Sequence, residues 1–432
     1  MQRWKRYPAR SADRHGARTG RPSCTRAAWL AAGLAVTPYV HAGPYGYDLH
    51  NVLMPASGAM AGTSLAQPQD VPSAVFGNPA TMTQFKGTQF TFGVTFYDPS
   101  VKLRHDGTVT GAAFEGNSDT KVFPVPNVAV TQDLHGLGLP VVVGMGLTPV
   151  SGIGAHFRQI PESLGAGAEF IIFGVNAGAA AKVTDKLSVG GAATVSFAQL
   201  DAGLSSVAAE THAIGGRVSV GATYELPKST HVGVFYQSKL SHNFNSLFQT
   251  GTTASGLPLY SDQEIEQPEN IGIGISNSSL MGGKLLLAAD FIYKRWEDAE
   301  FWQDVFEDQR IFSVGTQYTN GPWRYRAGYG HANDPNRSAP TKLGGLTQVV
   351  TGPGGIVIPL STPVIQYLQA TQTEVIYKHR YTFGVGYSGF LMPGLDVDGH
   401  VGFQKKESRD FGTHTVADVR SWHAGFGLTW RF

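Results

Sequence analysis

One cysteine, few charges and no long apolar run set the first limits on this chain. The single thiol, Cys24, sits ahead of the first apolar stretch, so the residues beyond it can form neither disulfides nor cysteine–metal sites. Only 15% of residues are charged, against about a quarter in soluble proteins. No stretch reaches the roughly 18 consecutive apolar residues of a spanning helix, which excludes a helical membrane protein and leaves a closed β-barrel open. Neither G-x-S-x-G nor H-E-x-x-H occurs, and His400, His414 and His423 lack metal-ligand spacing. Gly384-Val-Gly-Tyr-Ser-Gly389 fits G-x-G-x-x-G, but it lies in alternating sequence with no helix after it and reads as strand glycine. The chain is therefore expected to be no enzyme and to carry no cofactor and no metal.

What is abundant is glycine, at 54 residues, and aromatic side chains, at 11%. Both suit a wall whose outer face meets lipid. The net charge of +1 hides an asymmetry. Residues 1–42 carry Arg3, Lys5, Arg6, Arg10, Arg14, Arg18, Arg21 and Arg26 against Asp13 alone, so acids exceed bases in the remainder. An acidic remainder argues against a nucleic-acid partner, which needs a basic stripe. The basic segment precedes the short apolar run Ala27–Val36 and the small-residue exit ending at Ala42. That order is the form of a secretory signal peptide. The expected organisation is a signal peptide over 1–42, a separate segment over 43–87 and a barrel over 88–432.

From residue 88 the polarity alternates with period two, as in Gln89–Phe96, Val218–Tyr224, Tyr381–Tyr387 and Phe426–Phe432. Period two marks a strand with two unlike faces. Fourteen strands are predicted, near 88–104, 120–133, 139–149, 168–183, 187–203, 211–226, 231–246, 263–276, 284–297, 305–319, 322–333, 373–389, 395–408 and 415–432. Twelve or sixteen remain possible. Short connections at 134–138, 184–186, 227–230 and 319–322 alternate with long ones at 150–167, 247–262 and 334–372. Short turns on one side and long loops on the other describe an outer-membrane barrel. The Phe426, Leu428, Trp430, Phe432 stripe reads as a barrel-assembly signal centred on Phe432, which makes the barrel-assembly machinery, outer-membrane lipid and lipopolysaccharide expected partners. Residues 43–87 lack alternation and read as a flexible tail or a plug.

Ser57-Gly-Ala-Met-Ala-Gly62 with Asp70-Val-Pro-Ser-Ala-Val-Phe-Gly-Asn-Pro-Ala80 resembles the N-terminal hatch of FadL-type outer-membrane transporters of long-chain fatty acids. Asp98-Pro99, Val125-Pro-Asn127, Gln267-Pro-Glu-Asn270, Asp290–Trp296 and Gly384–Tyr387 extend the resemblance along the chain. It implies a fourteen-stranded all-β barrel with the hatch inside, and a passive channel for hydrophobic compounds, above all long-chain fatty acids. It also implies a hatch that shifts on ligand binding, with Ser57, Gly58, Gly62, Asp70, Asn78, Pro79 and Ala80 holding it. A lateral exit is implied at an inward kink of the third strand, which falls on Pro149, Val150, Ser151 and Gly152. Proline cannot donate to a ladder, so a door there is physically reasonable, although Pro149 can equally end the strand.

Cargo of this kind needs an apolar tube with a cation or hydroxyl at one end. Leu49, Val52, Leu53 and Met54 of the hatch, and Phe157, Arg158 and Phe248 of the apolar loops, are the candidate ligand contacts. The hatch residues can equally pack on the inner wall, and Arg158 can equally be an ordinary surface arginine. A transporter of aromatic hydrocarbons, an outer-membrane enzyme acting on lipid and a plain porin remain rival functions.

Overall fold

The computed structural model describes residues 51–202, 211–252, 254–345, 349–351, 357–372 and 378–432. The signal segment and Leu49 lie outside the described residues, as does the side chain of Phe248.

Fourteen antiparallel strands close into one barrel. They are β1 (Thr88–His105), β2 (Phe114–Asn117 continued by Phe123–Asp133), β3 (Val141–His156), β4 (Gly167–Lys182), β5 (Leu187–Ala202), β6 (Thr211–Leu226) and β7 (Thr230–Gln237 continued by Leu240–Thr252). The second half comprises β8 (Pro258–Gln267 continued by Glu269–Leu280), β9 (Leu285–Arg295), β10 (Gln309–Asn320), β11 (Trp323–Ala332), β12 (His379–Tyr387), β13 (Leu395–Phe411) and β14 (Thr415–Arg431). Each pairs with its sequence neighbours, and β1 pairs β14 from Gln89↔Arg431 to His105↔Thr415, which removes the sheet edge. Alternation assigns the faces. On β1, Phe90, Phe92 and Phe96 point outward and stay exposed for lipid, whereas Thr91, Thr95 and Tyr97 point inward and are buried.

Several boundaries differ from the expected ones. β3 does not stop at 149 but runs to His156, so Pro149 lies inside a strand and Ile153 and His156 are not loop residues. Proline favours a strand end because it lacks an N–H, but the pairing with β4 carries the strand past it. Leu247, Leu259 and Tyr260 likewise belong to strands rather than to a loop. β8 breaks at Pro268, which has no N–H to give the ladder. The expected strand start at 305 is occupied by the turn after Trp302–Asp304, and β10 begins at Gln309. The long connection after β11 holds helix α2 (Thr362–Gln372) and a small hairpin, Val349–Thr351 with Val357–Pro359, none of which was foreseen.

Residues 51–87 fill the end of the lumen at which the short turns lie. They form a 3-10 turn (Ser57–Met60), helix α1 (Val71–Phe76) and a second 3-10 turn (Pro79–Gln84). The start of α1 is fixed by its cap. Asp70 is its N-cap, accepting Ser73 N–H at 2.9 Å, and Pro72 lies in its first turn, where a missing N–H costs nothing.

Candidate functional site: hatch, apolar chamber and a gap in the wall

The hatch is held to itself by one carboxylate. Asp70 Oδ2 accepts the N–H groups of Ala56 (2.7 Å) and Ser57 (2.8 Å), while Oδ1 caps α1. Ser57 Oγ in turn accepts Gln69 N–H at 3.0 Å. Gly58 lies where a Cβ would meet the Val52 carbonyl at 2.5 Å, and Gly62 adopts φ +82°, a conformation that favours glycine. Asp70 and Ser57 are therefore joined in one network, which the Gly62 N–H extends by donating to the Ser57 carbonyl at 2.9 Å.

The hatch is held to the wall chiefly at Leu65. Asp290 of β9 accepts the N–H groups of Ser64 (2.7 Å) and Leu65 (3.0 Å). Asn78 Nδ2 donates to the Leu65 carbonyl at 2.8 Å and to Ala222 of β6 at 3.2 Å, and its Oδ1 accepts Ala80 N–H. Asn78 thus caps the turn that Pro79 opens and ties it to the barrel. Close approach needs bare backbone. A Cβ on Gly233 would fall 1.9 Å from the Leu65 carbonyl, and one on Gly221 1.9 Å from Asn78 Oδ1. Gly384, from the G-x-G-x-x-G match, likewise faces Ala59 of the hatch. Part of the glycine content thus serves the inner face, beyond the lipid face considered from composition.

Other ties ring the plug. Thr382 Oγ1 donates to the Ala59 carbonyl and accepts Ala61 N–H, both at 2.9 Å. Thr95 and Asn127 donate to the Leu53 carbonyl at 2.8 and 3.0 Å, and His400 Nδ1 donates to the Pro55 carbonyl at 3.1 Å. Val52, Leu53 and Met54 are all buried, and Met54 packs with Val71, Val75, Phe76 and Met82 against the wall. Of the three, Met54 is placed in a packed cluster and Leu53 takes hydrogen bonds through its carbonyl.

Beyond the hatch the lumen is apolar. Phe170, Phe244, Trp302 and Phe306 form a contiguous aromatic group, with Trp302 and Phe306 stacked at 5.4 Å. Phe157, fully buried, belongs to the same cluster, as do Val364, Ile365 and Leu368 of α2. The helix is anchored by Tyr367 Oη donating to the Ser163 carbonyl (2.7 Å) and Gln369 donating to the Val305 carbonyl (2.9 Å). Arg158, expected as a cation for ligand, makes a bidentate pair with Asp201 at 2.8 Å for each bond, which raises its pKa further and occupies its fork. That pairing favours the ordinary surface reading.

Between hatch and chamber runs a polar ladder on the inner face of β6 to β9. Asn270 donates to Gln237 (3.0 Å), which donates to Ser219 (3.1 Å). Arg217 flanks it on β6, and Lys294, fully buried, is the register partner of Asn270 on β9. Residue-type reasoning passed over Asp290, Arg217 and Lys294. The available signal was a charged residue at an inward position of an otherwise apolar alternating strand, as Asp290 is within Leu285–Tyr293.

Across the barrel the wall is incomplete. β2 and β3 pair from Asp133↔Val142 to Val128↔Leu147, and among the described residues no ladder pair joins them beyond that point. Thr148 Oγ1 donates to Asn127 Oδ1, and pairing resumes only where Asp119 N–H meets the His156 carbonyl at 2.8 Å. Pro124 and Pro126 lie on one side of the gap and Pro149 on the other, and none can donate. On its other edge β3 bulges against β4 between Pro149 and Ser151. Val150 is the extra residue; it is buried, packs over Gly174 and belongs to the chamber cluster. Pro149, Val150, Ser151 and Gly152 thus sit at a break in the wall next to the chamber.

No curated protein matches this chain. Among solved structures it resembles the Pseudomonas putida toluene transporter TodX (19% identity, TM-score 0.63, 89% of this chain and 99% of that one). It also resembles the Ralstonia pickettii toluene transporter TbuX (18%, 0.61, 89% and 99%) and a Pseudomonas aeruginosa FadL homologue (14%, 0.64, 90% and 100%). At such identities these likenesses establish the fold. Residues 35–209 match the family model described as outer membrane protein transport protein (OMPP1/FadL/TodX). With that match over residues 35–209 beside a plugged fourteen-stranded barrel, the chain has the fold of these outer-membrane channels and resembles the OMPP1/FadL/TodX proteins over that part of its length.

Proposed function

We propose that this channel takes up long-chain fatty acids, which enter the apolar chamber, displace the hatch contacts and leave sideways through the gap between β2 and β3. The observation that carries the reading is the break in the β2–β3 ladder beside the buried apolar cluster that Val150 joins. A water-soluble solute gains nothing from a door into lipid, whereas each methylene of an acyl chain gains about 0.8 kcal/mol on leaving water. The carboxylate needs a partner, and Arg217 and Lys294, buried on β6 and β9, are the cations proposed to meet it. Replacing Lys294 by Met should lower oleate uptake about tenfold, the effect of losing one charge-assisted hydrogen bond. The measurement is uptake of labelled oleate and labelled toluene by cells carrying either form. Equal loss of both cargoes, or of neither, removes the carboxylate role.

A second reading is aromatic-hydrocarbon uptake. TodX and TbuX are toluene transporters, and the Phe170–Phe244–Trp302–Phe306 group suits a ring. Mass spectrometry of ligand retained by the purified protein separates the two: an acyl carboxylate supports the first, monoaromatics the second.

A further inference from the structure

The outer face of β1, β13 and β14 changes character abruptly near the long-loop end. From Trp430 up to Trp422 the outward residues of β14 are apolar, and so are Phe90, Phe92, Val94 and Phe96 on β1. That rise is about 26 Å along the strand, or about 20 Å across the membrane at the usual tilt, close to one apolar band. Trp422 and its register partner Phe403 thus mark the far edge of the hydrocarbon.

The next outward position is Arg420, with Lys405 and Lys406 beside it. β13 bulges there: Gln404 pairs Ser421 and Glu407 pairs Val419, so Lys405 and Lys406 both stand opposite Arg420. The bulge breaks the alternation and leaves both lysines exposed on one face. Lys102 and Arg104 of β1 continue the patch, at 40% and 43% side-chain exposure. Acids border the patch as well, exposed Asp410 of β13 among them, so its unpaired cations are Arg420 and Lys405 among the described residues. Asp418, only 6% exposed, lies among Arg104 (3.6 Å) and Lys406 (3.1 Å), Glu115 pairs with Lys102, and Glu407 and Asp98 are half-buried. Among the described residues no ion pair involves Arg420 or Lys405.

We propose that this patch binds the phosphate groups of a phosphorylated glycolipid of the outer leaflet, the lipid A end of lipopolysaccharide. Its cations stand at headgroup height, immediately above the aromatic edge, so acyl chains can lie on Phe96, Phe403 and Trp422 while phosphates meet Arg420, Lys405 and Lys406. Basic clusters next to a membrane edge attract anionic headgroups, and the guanidinium of Arg420 suits a phosphate fork. The site stands apart from hatch, chamber and gap, so it goes beyond the transport reading.

The test titrates the whole protein, hatch included, in neutral detergent with fluorescent lipid A bearing two phosphates. The comparison ligands are the same lipid without phosphates and inorganic phosphate as competitor. Bisphosphorylated lipid should bind about tenfold tighter than the dephosphorylated form, and the Lys405→Gln, Lys406→Gln, Arg420→Gln variant should lose that advantage. Lys182→Gln with Lys186→Gln, at the opposite end of the barrel, should change nothing. Raising salt should weaken the unaltered protein's binding, because these charges are exposed to screening. Equal affinity for both lipids, salt-independent binding, or an unchanged triple variant overturns the proposal. Inorganic phosphate competing as well as the lipid overturns the membrane source. Should the triple variant fail to fold, the phosphate and salt dependence of the unaltered protein decides.

Discussion

Replacing Asp290 and Asn78 together by alanine is expected to turn a plugged barrel into one that conducts ions. The two side chains grip Leu65 from opposite sides, Asp290 through its N–H and Asn78 through its carbonyl. The double change strands the N–H groups of Ser64 and Leu65 and the Leu65 carbonyl in a dry seat. Each orphaned buried group costs about 1–3 kcal/mol, so the seat loses several kcal/mol, enough to populate an unseated hatch. The barrel's own ladders are untouched, and heat-modifiable mobility should persist. Planar-bilayer recording reads the effect: steps of conductance in the double variant against little in the unaltered protein. Asp290→Asn, which keeps one acceptor oxygen, should fall between them. A folded double variant as silent as the parent would show that the remaining ties at Thr382, Asn127 and His400 hold the plug alone.

The second large effect is expected at the gap. Changing Pro124, Pro126 and Pro149 to valine returns N–H donors to facing stretches of β2 and β3, and valine favours strands. Each regained ladder bond contributes about 1 kcal/mol. The wall should zip beyond Leu147, and fatty-acid uptake should drop more than tenfold while the hatch stays seated. Hydrogen exchange at residues 148–155 reports the zipping independently of uptake. Protected amides with unchanged uptake would rule out the side exit, and the route would then have to run past the hatch.

These two experiments rest on features that the sequence disclosed unequally. The fourteen strands were legible, while the kink at Pro149 to Gly152 and the hatch role of Asn78-Pro79-Ala80 came only with the family resemblance. A strand shows as period two, whereas proline's missing N–H fits a kink and a strand end equally. Arg158 was read as a cation for ligand or for nothing; its tie to Asp201 joins the loop after β3 to the end of β5 and has no local trace. α2 went unseen because it lies in a long connection between strands and packs its residues into the mouth of a barrel that exists only once closed.

By itself the sequence determined that alternating segments must pair into a wall with lipid outside, and that a segment without alternation precedes them. Alternation is a local consequence of the strand's two faces, so it survives in one dimension. Which inward residues meet was decided only by the closed barrel. Asp290 and Leu65 lie 225 positions apart and touch because β9 and the hatch share one lumen. Whether β2 and β3 pair along their full length, and whether the cations of β1, β13 and β14 form one patch, depend on register and on where the ends of the sheet join. Those are properties of hydrogen bonds between distant segments, and no window of sequence contains them.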